Sequence, residues 1–283
     1  MGFAAVRAVE ASCGRIRTFI QTVRGALRHA GGLRIDHVMG LFRLYWIPKG
    51  IDPSNGAYVR YREDELLGIL ALESERAKAY VVGEDLGTVE ASAREKLAAA
   101  RVLSYRLLWF EKNHPRKYPK GALAAVTTHD LPTVRGLWTG SDLNTQKRFG
   151  LEPNEKGTVE IRDRLRSTTG LSEDAPVDEV IRRAYRLLAE APCAIVSATL
   201  DDALAVEERP NWPGAAEHSW SLALPQSLEE LQSNPLARDI AEALHTRRKP
   251  RKAAGKRQAK GESRVKNFPA RRNRSEGGEH SQP

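Results

Sequence analysis

Residues 79–87 read AYVVGEDLG, an apolar run that ends in the acidic pair Glu84 and Asp85. A stretch with helical spacing of apolar residues precedes it at 63–78, and another follows it at 88–100. The run itself is apolar almost throughout, which is typical of a strand in a parallel sheet that is covered by helices. This segment therefore predicts an α/β fold in which helices and strands alternate.

The same alternation recurs along the chain. An amphipathic helix is predicted at 16–27, a charged helical excursion at 140–191 and a closing helix at 228–244. The candidate strands lie in LRIDHVMG (33–40), AYVVGEDLG (79–87), RVLSYRLLWF (101–110), GALAAVTTHD (121–130) and CAIVSATL (193–200). The pattern favours a (β/α) barrel, in which reactive groups follow the carboxyl ends of the strands.

The charge of the chain is concentrated at one end. Of the net charge of +9 over 283 residues, the stretch 247–283 contributes 13 Lys or Arg against 3 Glu. Its composition buries too little apolar surface to order itself, so we predict a disordered basic tail. A polyanion-binding protein is the alternative from another class. Phe268 is the one aromatic residue of the tail, which leaves no interleaved rings for base stacking, and we expect no nucleic-acid partner.

The two cysteines, Cys13 and Cys193, are too few for a disulfide framework or a multi-cysteine zinc site. We predict that both are small buried hydrophobes. No stretch reaches the roughly 18 apolar residues of a membrane span, and Arg7 and Glu10 interrupt the N-terminal run before a signal-peptide core develops. The sequence predicts a cytoplasmic protein with no membrane partner.

Three candidate strands end in acid: Asp36 after LRI, Glu84 and Asp85 after YVVG, and Asp130 after AAVTTH. Carboxylates that converge at one end of a sheet suit retaining glycoside chemistry, where one acts as nucleophile and another as acid and then base. Arg34 lies two residues before Asp36, so both side chains point to the same face, and its charge favours the ionised carboxylate. Periodicity leaves Glu84 and Asp85 equally open as the residue that faces the cavity.

Each candidate also has a structural interpretation. Any one acid at a strand end serves equally well as a helix cap or a loop ion pair. His129 is a candidate for binding a sugar hydroxyl or for a structural contact. The tryptophans near strand ends offer either a stacking surface for sugar or ordinary rim packing: Trp46, Trp109 and Trp138.

Longer segments of the chain resemble a known family. They are RHAGGLRIDHVMGLFRLYWIPKG (28–50), GAYVRY (56–61), LLGILALESERAKAYVVGEDLGTVE (66–90), VLSYRLLWFE (102–111) and AAVTTHDLPTVRGLW (124–138). In this order they resemble the 4-α-glucanotransferases, also called amylomaltases or disproportionating enzymes, which are relatives of the α-amylases. A weaker likeness continues through SATLDDALAVEERPNWPG (197–214) and SWSLALP (219–225), although GAAEHSW departs from the usual turn.

The resemblance implies a role for each candidate residue. Asp36 is the nucleophile, Glu84 rather than Asp85 is the general acid and base, and Asp130 stabilises the transition state. Arg34 and His129 bind substrate beside them. The implied reaction transfers a segment of maltodextrin or another α-1,4-glucan to the 4-hydroxyl of an acceptor, and it requires no metal or organic cofactor.

The resemblance also implies a fold and its limits. The acids resemble those of strands four, five and seven of a (β/α)8 TIM-type barrel, so we expect an incomplete barrel of strands four to eight with a helical insertion. The expected organisation is a divergent segment at 1–21, the C-terminal part of the catalytic barrel at 22–246 and the tail at 247–283. A separately encoded N-terminal half is the expected protein partner. The alternatives are an inactive truncated remnant and an α-1,4-glucan hydrolase.

Overall fold

The computed structural model describes residues 13–246, with side chains described for 16–245. Most of the predicted divergent segment and the whole basic tail at 247–283 therefore lie outside the described residues, as does the side chain of Cys13.

Helices and strands alternate through the first half of the chain. They are α1 (Cys13–Leu27), β1 (Gly32–Ile35), β2 (Arg43–Trp46), β3 (Ala57–Arg60), α2 (Glu63–Ala77), β4 (Tyr80–Gly83), α3 (Ala91–Ala99), β5 (Ser104–Leu107) and β6 (Ala122–Ala125). The second half is mainly helical, as predicted for 140–191. Its elements are α4 (Val134–Thr139), α5 (Ser141–Arg148), α6 (Glu155–Thr169), α7 (Val177–Leu188), β7 (Ile195–Val196), α8 (Leu200–Ala203), α9 (Leu228–Ser233) and α10 (Pro235–Thr246).

The α/β class is confirmed by the strand pairing. β1 is parallel to β4, and β6 is parallel to both β5 and β7. A parallel bridge between Val82 and Leu103 joins β4 to β5, with Leu103 N donating to the Val81 carbonyl at 2.8 Å. The parallel strands are thus neighbours in chain order. Within residues 13–246, β1 pairs only with β4 and β7 only with β6, so these residues do not close a barrel.

The two faces of this run of strands differ. On one face, Leu33, Ile35 and Val81 pack against the first three helices in one apolar core, and Ala122 and Ala124 pack against the later helices in another. The alternate residues point to the opposite face, where Tyr105, Leu107 and Ala125 form a small separate cluster. Arg34 belongs to that opposite face because side chains alternate along a strand.

The strand predicted in LRIDHVMG ends at Ile35, directly before Asp36 as predicted, because His37 adopts a left-handed backbone with φ 45° and the chain turns. Two other predicted boundaries are wrong. Of the strand expected in CAIVSATL, only two residues are paired. Helix α8 begins soon after them, because the Thr199 hydroxyl caps its N-terminus by accepting from Asp202 N at 3.2 Å. The single closing helix is two helices, because Asn234 precedes Pro235 and is held in an extended conformation.

The hairpin of β2 and β3 is an addition that the strand pattern did not predict. Cys193 is 1% exposed, which confirms the prediction of a buried small residue. Across residues 13–246, no helix combines the length and the apolar character needed to cross a bilayer.

Candidate active site

Asp36 and Glu84 follow β1 and β4, two adjacent parallel strands whose ends are hydrogen-bonded to each other. Glu84 N donates to the Ile35 carbonyl at 2.9 Å, and Val38 N donates to the Glu84 carbonyl at 3.0 Å. The Glu84 side chain takes part as well, because its carboxylate accepts from His37 N at 2.9 Å and from Leu86 N at 2.7 Å. The main chain therefore holds the two acids side by side at one end of the sheet.

Asp36 forms an ion pair with Arg34, with 2.7 Å between the guanidinium and the carboxylate. The two side chains share a face, as their spacing predicts. Asp36 is 68% exposed and Arg34 is 33% exposed, so the carboxylate remains open to solvent and to a ligand. The guanidinium also lies over the ring of Tyr105, 5.3 Å from its centroid.

Asp130 lies in the turn after β6, and contacts from a distant segment hold that turn. The Thr128 hydroxyl donates to the Asp130 carboxylate. The guanidinium of Arg209 donates to the Asp130 backbone carbonyl at 2.6 Å, and Asn211 N donates to the His129 carbonyl at 3.0 Å. Residues 209–211 therefore fix the backbone on which His129 and Asp130 stand.

Arg209 is itself held by a buried ion pair with Asp142. Their side chains are 7% and 0% exposed, and the Arg209 Nε donates to an Asp142 oxygen at 2.7 Å, with a second bond to the other oxygen. Sequence reasoning missed both residues, because they lie 67 positions apart and no local pattern connects them.

The charges of four candidate residues affect the pKa of Tyr105. Burial is the main cause of its raised pKa, the charge of Arg34 opposes the shift, and the charges of Asp130, Glu84 and Asp36 add to it. All four charged groups therefore act on one phenol hydroxyl. The sequence did not mark this tyrosine as a site residue, although its alternation with Arg106 places it on the face opposite the helices.

Asp85 points away from this group. It is buried, and its carboxylate accepts from Tyr105 N at 2.8 Å. Gly83 and Asp85 line a cavity together with Arg94 and Leu97 of α3, so they face the helices. By strand alternation Glu84 faces the other side of the sheet, away from α3.

The tryptophans divide into structural and exposed positions. Trp109 is 1% exposed and donates to the Pro132 carbonyl at 2.9 Å, so it packs in the core and offers no surface to a sugar. Trp138 packs against the same core and donates to the Ala175 carbonyl at 3.2 Å, and Trp46 donates to the Tyr61 hydroxyl at 2.8 Å. Trp220, which sequence reasoning missed, lies beside His129 with a ring-centroid distance of 5.4 Å.

No three His, Cys, Asp or Glu side chains of the described residues are grouped so that they could hold a metal ion.

Comparison with known proteins gives consistent matches. The family model described as 4-alpha-glucanotransferase matches residues 2–228. A 4-alpha-glucanotransferase of Mycobacterium tuberculosis is 37% identical over 257 residues, covering 81% of this chain and 36% of the relative. One of Haemophilus influenzae is 35% identical over 241 residues, covering 76% of this chain and 34% of the relative. The chain thus spans about a third of the length of these relatives.

The solved structures that this chain resembles include two amylomaltases. The crystal structure of amylomaltase from Corynebacterium glutamicum matches with a TM-score of 0.72 and 31% identity, covering 80% of this chain and 37% of the other. Amylomaltase from Streptococcus agalactiae in complex with acarbose matches with a TM-score of 0.64 and 18% identity, covering 81% of this chain and 44% of the other, and it shows a shared fold.

Proposed function

Because this chain belongs to the 4-alpha-glucanotransferase family, we propose that it carries the catalytic carboxylates for transfer of an α-1,4-glucan segment to the 4-hydroxyl of an acceptor glucan or glucose. The substrate would be a maltodextrin or a similar α-1,4-glucan. The observation that carries the proposal is the bond from His37 N to the Glu84 carboxylate, because His37 directly follows Asp36.

The proposed mechanism is a double displacement. The Asp36 carboxylate attacks the anomeric carbon while the Glu84 carboxyl group gives its proton to the departing glycosidic oxygen. The ionised Glu84 then takes the proton of the acceptor 4-hydroxyl, whose oxygen displaces Asp36 and restores the α-linkage. The proton that Glu84 gives up in the first step is replaced by the acceptor's proton in the second, and neither step needs a metal or a cofactor.

The remaining candidates would support the cationic transition state and the bound sugar. Asp130 contributes negative charge and hydrogen bonds to substrate hydroxyls from the turn that Arg209 holds. Arg34 keeps the Asp36 carboxylate oriented through their ion pair. His129 would donate to or accept from a sugar hydroxyl next to Asp130. These roles follow from the family resemblance.

We further propose that residues 22–246 are the C-terminal part of a (β/α)8 barrel and contribute its strands four to eight. The run of parallel neighbours in chain order supports this, because barrel strands succeed one another in that way. A polypeptide that supplies the other strands, such as a separately encoded N-terminal half, would complete the barrel and the acceptor site. The predicted cytoplasmic location stays a prediction.

The test is disproportionation of maltotriose by the purified chain, alone and with a separately expressed N-terminal part of the Mycobacterium tuberculosis relative. We expect glucose and longer maltodextrins, and we expect Asp36→Asn and Glu84→Gln to abolish them. Asp174→Asn, at an exposed position between α6 and α7, is the matched control. A folded chain that forms no product in either condition refutes the proposal and supports an inactive remnant.

Hydrolysis of α-1,4-glucans is the second candidate. The observation in its favour is the exposure of Asp36, which at 68% lets water reach the site of a glycosyl intermediate. Hydrolysis of maltotriose yields glucose and maltose with no longer product, so the same assay separates the two reactions.

A further inference from the structure

Trp220 has an unusual combination of exposure and backbone conformation. Its side chain is 64% exposed, whereas Trp109 and Trp212 are almost fully buried. Its φ is 58°, in the left-handed region that bulky side chains rarely adopt. A large apolar ring at a strained position on the surface costs stability on both counts, and such strain clusters at functional sites.

The segment that presents Trp220 is firmly anchored. Trp220 N donates to the Pro210 carbonyl at 2.6 Å, and the Ser219 hydroxyl accepts from Trp212 N at 2.9 Å. Within the same segment, His218 stacks on Phe149 with ring centroids 3.8 Å apart. These contacts hold the Trp220 backbone in place.

Trp220 is directed toward the proposed catalytic end of the sheet. Its ring lies 5.4 Å from that of His129 with an interplanar angle of 30°, and His129 is the residue before Asp130. Segment 209–211 connects Trp220 directly to the turn that carries His129 and Asp130. Its Arg209 and Asn211 donate to the backbone carbonyls of that turn, and its Pro210 carbonyl accepts from Trp220 N. One short segment therefore sets the position of the ring relative to the candidate site.

We propose that Trp220 and His129 form an aromatic platform that stacks on a pyranose ring of an α-1,4-glucan beside the unit held at Asp130. The face of an indole ring carries partial negative charge and attracts the C–H groups that line the face of a glucose ring. A fixed platform suits this ligand because little conformational freedom is lost when the sugar docks. The inference rests on the proposed function for the identity of the sugar, and it adds a binding residue.

The experiment measures binding of maltoheptaose by calorimetry to the full chain carrying Asp36→Asn, which prevents turnover. We expect Trp220→Ala to weaken binding by about tenfold or more and Trp220→Phe to restore part of it, because the smaller ring keeps a stacking face. Tyr80→Ala is the matched control. Tyr80 is also an exposed aromatic, but it lies at the start of β4, the strand end opposite Glu84, and its removal should leave binding unchanged.

A second readout follows the ring itself. Maltoheptaose should protect the tryptophan fluorescence of the chain from acrylamide quenching, and Trp220→Phe should remove the protection. Equal maltoheptaose affinity in Trp220→Ala and its parent overturns the inference, as does a folded chain that binds no maltoheptaose, whatever the transfer assay shows. Trp220-dependent binding without any transfer sustains the inference and refutes the proposed function instead.

Discussion

The backbone N–H of His37 donates a hydrogen bond of 2.9 Å to the carboxylate of Glu84. This contact joins the ends of two adjacent parallel strands, and His37 is the residue directly after Asp36. The orientation of the proposed acid and base is therefore set by the main chain that also carries the proposed nucleophile. A second backbone donor, Leu86 N at 2.7 Å, completes the support of the Glu84 side chain.

Removing Asp36 and removing Glu84 should have different effects on the reaction of a glycosyl donor whose leaving group needs no protonation. Fluoride needs no protonation to depart, so Glu84→Ala should still form the glycosyl intermediate from α-maltosyl fluoride, whereas Asp36→Ala should not. Fluoride release measures this step. Added azide, which attacks without a general base, should speed turnover of Glu84→Ala and give α-maltosyl azide, whereas any azide product of Asp36→Ala should be the β-anomer. The opposite pattern would exchange the two roles.

The left-handed backbone of His37 predicts how substitutions there affect stability. A β-branched residue is strained at a φ of 45°, and glycine is not. His37→Val should lower the free energy of unfolding by about 1–2 kcal/mol, while His37→Gly should leave it nearly unchanged. Urea denaturation of both variants measures the difference, and equal destabilisation would show that the side chain rather than the backbone matters.

The strands and the acids that follow them could be predicted because both leave a local signal. Buried parallel strands are continuous apolar runs, and Asp36, Glu84 and Asp130 interrupt the chain directly after such runs. The choice between Glu84 and Asp85 could not be made in the same way, because it depends on which face α3 covers. The division of the closing helix at Pro235 was open to prediction from the proline alone, but the apolar periodicity continues across it.

Long-range contacts explain the rest of what sequence reasoning missed. Arg209 and Asp142 form an ion pair although 67 positions separate them, and no local sequence pattern around either residue predicts it. Trp220 becomes notable only when its distance to His129 and its exposure are known. The hairpin of β2 and β3 joins two short segments through residues 47–56, a connection too long for the tight-turn signal that normally reveals a hairpin.

The buried pair of Arg209 and Asp142 should be important for stability. Arg209→Ala leaves the Asp142 carboxylate buried without its ion-pair partner and should cost about 3–5 kcal/mol. Replacing both residues together, as Arg209→Met with Asp142→Leu, should cost much less. Thermal and urea unfolding of Arg209→Met, Asp142→Leu and the double variant measure the coupling, and additive losses would show that the pair does not act as a unit.

The buried carboxyl group of Asp202 predicts a pH dependence of stability. Its oxygens accept from Val134 N at 2.8 Å and from the Tyr185 hydroxyl at 2.7 Å, and burial is the main cause of its raised pKa. The folded state therefore keeps this proton above about pH 4, where the unfolded chain releases it, and the contribution to stability falls as the pH rises through that window. Asp202→Asn should flatten this fall in urea denaturation at a series of pH values.

Asp174→Asn is the control for that experiment, because its side chain is exposed and should leave the slope of stability against pH unchanged. A slope that is the same in Asp202→Asn and in the parent chain would mean that Asp202 is ionised in the folded state across the whole window.

The ring of Tyr105 should affect the rate of glucan transfer by positioning the Arg34 guanidinium. The guanidinium lies 5.3 Å from the ring centroid and also pairs with Asp36 at 2.7 Å, so the ring helps to hold the cation toward the proposed nucleophile. Tyr105→Phe keeps this surface and should retain the transfer rate within about twofold, while Tyr105→Leu removes a contact of about 1 kcal/mol and should lower kcat about fivefold. In a double-mutant cycle with Arg34→Gln, the two losses should be less than additive, and full additivity would separate the ring from the cation.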